Sequence, residues 1–370
     1  MKRRETKPVK IGKVKVGGDN PIVVQGMLRT KIEDTLATIA QSKKLIKAGA
    51  KIIKIALPNM MAAKGLSKIR DKIDVPLVAD IPLNYELALE ALKQGINKLT
   101  VNPKNISKEG MLMLIKETKK SKVPFCIKIN SSSLEKKSVS KEKRAEKYRE
   151  TVAKKMAENA LYITEFLEKK SFSDIIIHLE TFDVLTTILS YQFLCNKIPY
   201  PFHLEIPNTD FSLQSVIRSS INIGTLLFQG IGDIISTSLT NDPAGEVESN
   251  PVKEVKASYE ILKSLSLYKK GPVLVSCPTC GRCHTNLEKV VRDVLSGIEE
   301  IEAPLKIAIM GCEVNGPGEA KDADIGIACT KKGGVLFKKG KLLRKIRGED
   351  IAMVLIEEVK KMSCSFFSLP

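Results

Sequence analysis

Lys51-Ile-Ile-Lys-Ile-Ala56, Val75-Pro-Leu-Val-Ala-Asp80, Lys98-Leu-Thr-Val-Asn102 and Val123-Pro-Phe-Cys-Ile-Lys-Ile-Asn130 recur at short intervals in the first half of the chain. Each is a brief, nearly continuous apolar run, as expected for a strand buried on both faces of a parallel sheet. Amphipathic stretches near residues 60–72, 85–94 and 108–121 follow the first three, and a long polar helical stretch follows the fourth. The same alternation extends outward. Before these runs stand a hairpin signal, Pro8-Val-Lys-Ile-Gly-Lys-Val-Lys-Val16, then Pro21-Ile-Val-Val-Gln25 and a helical stretch near 33–48. After them come Asp174-Ile-Ile-Ile-His-Leu179, Pro201-Phe-His-Leu-Glu-Ile206 and Asp233-Ile-Ile-Ser-Thr-Ser-Leu239. About eight strand–helix units in roughly 250 residues predict a (β/α)8 TIM barrel. A doubly wound open sheet is the alternative, but no glycine-rich dinucleotide fingerprint follows the first strand.

The pattern breaks near residues 267–271, where Tyr268-Lys-Lys-Gly-Pro272 reads as a linker. A barrel domain is therefore expected over 1–268 and a smaller α+β domain over 269–370. In the latter, strands are expected at 273–276, 305–310 and 325–328, a hairpin around Gly333-Gly334, and helices from Leu287 and near 348–362.

In a barrel, chemistry gathers where strands end and βα loops begin. The polar residues there are Gln25, Lys54, Asp80, Asn102, Asn130, Glu180, Glu205, Asn208, Ser238 and Asp242. Singly, each reads equally well as a loop cap.

Bulk properties exclude several classes. Of the 370 residues, 43% are hydrophobic and 28% charged, a globular balance. No apolar run is long enough to span a membrane, and the start lacks a signal-peptide core, so a cytoplasmic location is expected. The net charge of +18 invites a nucleic-acid reading. The densest basic run, residues 135–150, interleaves acids with bases like a solvated helix face, and there is no tryptophan to stack on bases. Nucleic-acid binding is not expected.

Five of the eight cysteines, Cys277, Cys280, Cys283, Cys312 and Cys329, fall in the final third. Cys277-Pro-Thr-Cys280 follows a strand, and Cys312 follows another in Gly311-Cys-Glu-Val-Asn-Gly-Pro-Gly-Glu319. Two thiolates at C-x-x-C spacing with a third on a neighbouring strand end suit an iron–sulfur cubane. Glu319 offers a harder, more replaceable fourth ligand; Cys283, His284 and Cys329 compete for that place. A structural zinc site remains open on spacing alone.

Together these residues resemble the 4-hydroxy-3-methylbut-2-enyl diphosphate synthase family (IspG/GcpE) of the methylerythritol phosphate route to isoprenoids. The resemblance rests on Cys277-Pro-Thr-Cys280-Gly-Arg282 and on Gly311–Glu319. It extends to Pro76-Leu-Val-Ala-Asp-Ile81, Asn102-Pro103, Ser133-Leu-Glu-Lys136 and Gly230-Ile-Gly-Asp233. It implies a homodimeric oxidoreductase with a [4Fe-4S] cluster on Cys277, Cys280 and Cys312, and with Glu319 as displaceable ligand. The implied reaction is two-electron reductive opening of 2-C-methyl-D-erythritol 2,4-cyclodiphosphate, with ferredoxin or flavodoxin as electron donor. Asn315 is implied beside the reacting centre. Lys54, Asp80, Asn102, Asn130, Ser238 and Arg282 are implied as contacts of the diphosphate substrate.

Departures from the family's pattern concentrate in the barrel. Its arginines correspond here to Lys54, Thr100, Cys126 and Ser236; a histidine corresponds to Pro82, another arginine to Glu86, a lysine to Ile176 or Glu180, and a Thr-Glu pair to Pro207-Asn208. Arg29, Lys104 and Lys128 are basic residues peculiar to this chain. Cationic forks bind phosphate oxygens well, so these exchanges leave two further readings: the same chemistry on a less anionic substrate, or a non-catalytic electron carrier.

Overall fold

A hairpin opens the ordered chain, β1 (Val9–Ile11) against β2 (Val14–Val16), turning on Gly12 at φ +53°. Eight parallel strands follow: β3 (Val23–Met27), β4 (Ile52–Ala56), β5 (Leu77–Ile81), β6 (Lys98–Val101), β7 (Phe125–Asn130), β8 (Ile175–Glu180), β9 (His203–Leu204) and β10 (Ile234–Ile235). They neighbour one another in chain order, β10 returns beside β3, and a bridge between Ile177 and Phe202 joins β8 to β9. The ring is a (β/α)8 barrel.

The computed structural model describes residues 2–81, 84–134, 145–207, 212–239, 250–277, 279–283, 285–312, 320–347 and 350–366. Two compact units divide the chain, Met1–Leu265 and Ser266–Pro370.

In the first unit the helices alternate with the strands: α1 (Thr35–Lys47), α2 (Met60–Lys64), α3 (Leu66–Arg70), α4 (Tyr85–Lys93), α5 (Lys108–Ser121), α6 (Ala145–Lys169), α7 (Val184–Leu194), α8 (Ser212–Phe228) and α9 (Pro251–Ser264). Side-chain caps fix where several begin. Asn59, Ser107 and Asp183 accept from the backbone N–H groups of Ala62, Gly110 and Thr186. The helix expected near 60–72 is two short ones, interrupted at Gly65. The last two barrel strands contract to two residues each, shorter than their apolar runs suggested. Most of the densest basic run, residues 135–144, lies outside the described residues.

Strand side chains alternate between barrel interior and helix layer. At the N-terminal end the inward positions are Val23, Ile52, Val78, Cys126, Ile176 and Ile234, and they pack on Val9, Ile11 and Val16 of the hairpin. The hairpin thus plugs one end of the barrel with a dry apolar layer. One step further along the strands the interior turns polar.

The second unit is a five-stranded sheet in chain order: β11 (Val273–Ser276), β12 (Lys306–Met310), β13 (Ile325–Thr330), β14 (Gly333–Lys338) and β15 (Lys341–Ile346). The first three strands are parallel and the last two antiparallel. Helices α10 (Leu287–Gly297) and α11 (Ile351–Phe366) cover one face over a core that includes Val294, Ile307, Ile309, Ile327 and Leu355. Gly333 opens β14 rather than forming a turn, and the chain turns at Lys331-Lys332 and again at Lys339-Gly340. The strand β15 was not anticipated. It is a lysine-rich edge strand, with Leu342 and Leu343 exposed, and its charges blunt the open edge.

Candidate functional site

The barrel's polar interior is built from residues two positions on from the apolar plug. Lys54 on β4 donates to both carboxylate oxygens of Glu205, just past β9, at 3.0 and 2.8 Å. These strands are not neighbours in the sheet, so the pair spans the barrel interior. Lys98 on β6 similarly crosses to Gln25 on β3, at 3.0 Å from Oε1. Gln25 Nε2 donates to Ser236 Oγ at 3.3 Å, and Ser236 lies 2.8 Å from Nε2 of His203. Ser238 Oγ donates to Glu205 at 3.3 Å. Nearer the mouth, Lys128 pairs with Glu180 at 2.8 Å.

Electrostatics follow from this burial. Burial pushes the Glu205 carboxyl up, but the Lys54 ammonium and the neighbouring cations outweigh it and hold the group well below the usual carboxylate range. Burial likewise lowers Lys54, and the charges of Glu205 and Asp80 more than reverse that. Among the described residues no carboxylate pairs with the Lys98 ammonium, and burial lowers it. Burial and then the charge of Lys128 take His178 down to about 3; burial and then His178 take His203 well below its ordinary value. Both imidazoles are therefore neutral. Their rings lie 4.9 Å apart, and His178 Nε2 and His203 Nδ1 have no hydrogen-bond partner among the described residues. Ligand atoms of His178, His203 and Glu205 fall within 4.8 Å of one another. Both oxygens of Glu205 are already held by Lys54, so the group reads as one charge-compensated network.

The other expected barrel residues sit where strand ends would put them. Asp80 is half-buried, and its charge acts on Lys54, Lys98 and Lys128. Asn102 accepts from the N–H of Lys104, and Asn130 from Ser132 Oγ at 2.9 Å. Arg29 donates to Glu254 at 2.6 Å. Thr100, Cys126, Ile176 and Ser236 are buried in the barrel, and Glu86 is exposed on α4. Asn208, Asp242 and Pro82 lie outside the described residues. Sequence reasoning missed Lys98, His178 and His203. The signal was there: each stands in inward phase within an apolar strand, two residues from another polar side chain. A surface cavity of about 750 Å³ lies at the opposite end of the barrel, around Arg3, Arg4 and Lys197, away from this network.

In the second unit, Cys277 leaves the end of β11 and Cys312 follows β12 by two residues, so adjacent parallel strands deliver both sulfurs to one edge. The Gly311 N–H donates to Cys277 Sγ at 3.2 Å. Cys280 is exposed, and the N–H and guanidinium of Arg282 lower its thiol. Arg282 therefore stands beside a sulfur in the second unit. Thr279, between the two cysteines, holds φ +52°, an outlier for a β-branched residue of the kind that accompanies functional loops. Cys329 is enclosed on β13, and burial, then Cys283, pushes its thiol up to about 11. A Cβ on Gly311 would stand 2.7 Å from Cys283 Sγ and 3.4 Å from Cys277 Sγ, so only glycine leaves these sulfurs their space. Free soft thiols gathered around a glycine cradle fit an iron–sulfur group. Asn315, Glu319 and His284 lie outside the described residues.

Comparison with known proteins bears on both units. Residues 6–251 match the GcpE TIM-barrel domain and residues 273–361 the GcpE protein C-terminal domain. The chain belongs to the GcpE family. It is, with that family, an oxidoreductase. A relative from Clostridium tetani (strain Massachusetts / E88) is 43% identical over 363 residues, covering 98% of this chain and 100% of its own. One from Thermodesulfovibrio yellowstonii is 41% identical over 362 residues, with the same coverages. Both are named 4-hydroxy-3-methylbut-2-en-1-yl diphosphate synthase (flavodoxin). Among solved structures, a dihydropteroate synthase from Coxiella burnetii is 13% identical with a TM-score of 0.48, over 70% of this chain and 97% of that one. Among the described residues no helix is long and apolar enough to cross a membrane.

Proposed function

We propose that this chain is a flavodoxin- or ferredoxin-supplied iron–sulfur reductase that breaks a C–O bond of a small substrate held at the barrel mouth. In this reading the barrel unit holds substrate and the second unit holds a [4Fe-4S] cluster on Cys277, Cys280 and Cys312, with Glu319 as displaceable ligand. The reaction nearest the relatives' name is two-electron reductive opening of 2-C-methyl-D-erythritol 2,4-cyclodiphosphate, in a cytoplasmic homodimer. The carrying observation is the delivery of Cys277 and Cys312 by adjacent strand ends around Gly311.

A bound cluster supplies electrons and, at an iron whose ligand can leave, a Lewis-acid site. The protein's own groups do the rest. Lys128 near the mouth and Lys54 deeper in the interior are ammonium donors, each paired with a glutamate, Asp80 and the carboxamides of Asn102 and Asn130 offer hydrogen bonds, and the apolar plug closes the far end. The test is turnover. Anaerobically reconstituted protein with reduced flavodoxin and the cyclodiphosphate should release 4-hydroxy-3-methylbut-2-enyl diphosphate; a fully loaded preparation that releases none excludes this substrate.

One observation favours a second reading, the same chemistry on a less anionic substrate. Lys54 and Lys128 are each already neutralised by a glutamate of the chain itself. A diphosphate would meet Glu205 and Glu180 as well as the lysines, and must displace charge-assisted bonds worth about 1.5–3 kcal/mol each. Under this reading the cyclodiphosphate leaves the paramagnetic spectrum of the reduced protein unchanged, and a clear shift on adding it decides for the first.

A further inference from the structure

The end of the second sheet that bears the sulfurs also gathers one sign of charge. Residues 325–348 carry eight lysines and arginines and no acidic residue. The basic run at 135–150 interleaves acids with bases, so the two differ in kind. Topology divides most of the eight between the two ends of the sheet. Strands β11, β12 and β13 are parallel, so Cys277, Cys312 and the Lys331-Lys332 turn leave from the same end. Strand β15 runs back to that end: Val335 pairs with Lys345 and Gly334 with Ile346, and a Cβ on Gly333 would stand 3.3 Å from Arg347 Cα. Lys331, Lys332, Lys345 and Arg347 are exposed, and so is Cys280 with Arg282 beside it. Cys329, two residues before the turn, is near enough to Cys283 and Cys277 for their charge to act on it. From the end of β12 to the end of β15 is three strand spacings, about 14 Å. Among the described residues Asp350 is the acid closest in sequence to Arg347, and it is engaged as the cap of α11, accepting from the N–H groups of Ala352 and Met353. Lys338, Lys339 and Lys341 gather instead at the turn on the opposite end, about 20 Å away along the strands.

We propose that Lys331, Lys332, Lys345 and Arg347 form the docking surface for the electron donor, a small flavin-carrying protein of the flavodoxin kind that presents an acidic face. The inference rests on the reading that this unit holds a cluster reduced by such a carrier. Opposite charge steers the encounter and orients the carrier, so its flavin arrives beside the sulfurs rather than elsewhere on a generally basic chain. In each encounter the carrier's reduced flavin gives up one electron to the cluster. Two encounters supply the two electrons that reductive C–O cleavage consumes.

The test compares two charge reversals of equal size in the full-length, anaerobically reconstituted chain: Lys331→Glu/Lys332→Glu at the sulfur end and Lys338→Glu/Lys339→Glu at the far end. Iron and sulfide content, circular dichroism and reduction by dithionite check that both variants are folded and loaded. Calorimetry reads the binding of oxidised flavodoxin, and stopped flow the oxidation of reduced flavodoxin, each at low and high salt. The sulfur-end variant should lose at least about tenfold in affinity and in second-order rate at low salt, and the gap should close as salt rises. The far-end variant should stay within about twofold of wild type. Equal losses in the two variants, or none in the sulfur-end variant, overturn the inference and leave the carrier reading standing, because the lysines would then act by net charge or not at all. Wild-type protein that dithionite reduces but that neither binds flavodoxin nor takes electrons from it removes the carrier reading itself and this inference with it.

Discussion

The barrel interior and the sulfur site answer the problem of a reactive polar group in opposite ways. In the barrel, every lysine of the interior network meets an acceptor from another strand: Lys54 on Glu205, Lys98 on Gln25, Lys128 on Glu180. The donors stand on strands; the partners of Lys54 and Lys98 come from non-neighbouring strands, and that of Lys128 from the adjacent β8. In the second unit Cys277 and Cys312 stand just beyond strand ends, and among the described residues the sulfurs meet backbone N–H and carbonyl groups and, at Cys280, the Arg282 guanidinium. A site paired mostly within the chain registers damage as lost stability. A site that, in the proposed reading, binds an external group registers it as lost loading.

The largest effect expected is on loading. Cys312→Ala removes a buried sulfur at the end of β12, and iron in the anaerobically purified protein should fall to background with all reductase activity. The barrel should unfold at an unchanged urea concentration. Retention of iron would break the comparison, because the sulfurs would not be the loading site.

Next in size is Lys54→Met. Glu205 would keep its charge in the barrel interior with its main partner gone, at a cost of about 3–5 kcal/mol. Urea unfolding measures this, and the double variant Lys54→Met/Glu205→Met should recover most of it. A single variant as stable as wild type would mean that the pair does not hold the barrel. Iron loading of the second unit should not follow either change.

This asymmetry also explains what could be read in advance. The apolar runs ending at Ala56, Asp80 and Asn130 made the barrel legible, because burial on both faces leaves a continuous hydrophobic signature. The Cys277–Cys280 and Gly311–Cys312 motifs could be picked out because each is local in sequence, and the fold brings Cys277 to Gly311. The pairing inside the barrel was not legible. Lys54 and Glu205 are 151 residues apart, and only ring closure puts them on facing strands. Lys98 looked like the polar start of a strand and is fully buried. The edge strand β15 was hidden for the converse reason: its first five residues are all exposed, and adjacent leucines among basic residues give no two-residue alternation.

The buried histidines give the barrel a pH signature. His178 has a folded-state value of about 3, against about 6.5 in an unfolded chain. Between these values the unfolded state binds a proton that the folded state refuses, so stability is lost as pH falls. The slope from His178 alone is about 1.4 kcal/mol per pH unit. His203, also lowered, adds in the same direction, and Glu205, whose carboxyl is depressed, adds again below about pH 4.3. Unfolding free energy measured from pH 7 to 4.5 should therefore fall steeply, and His178→Gln should flatten the slope by that amount. An unchanged slope would mean that the imidazole takes up its proton in the folded barrel.

The smallest effect tests whether the interior is one network or separate pairs. Ser236 stands between Gln25 and His203, within 3.3 Å of one and 2.8 Å of the other, and Gln25 in turn accepts from Lys98. Ser236→Ala removes one hydroxyl from a buried site and should cost about 1 kcal/mol by itself. If the groups act as a network, the loss depends on the far end. In a Lys98→Met background, where Gln25 is free to turn its amide toward His203, the same substitution should cost measurably less. A double-mutant cycle in urea reads the difference, and a coupling above about 0.5 kcal/mol marks residues that share partners. Strict additivity would reduce the barrel interior to independent contacts. The internal pairing that distinguishes it from the sulfur site would then belong to the Lys54–Glu205 and Lys128–Glu180 pairs alone.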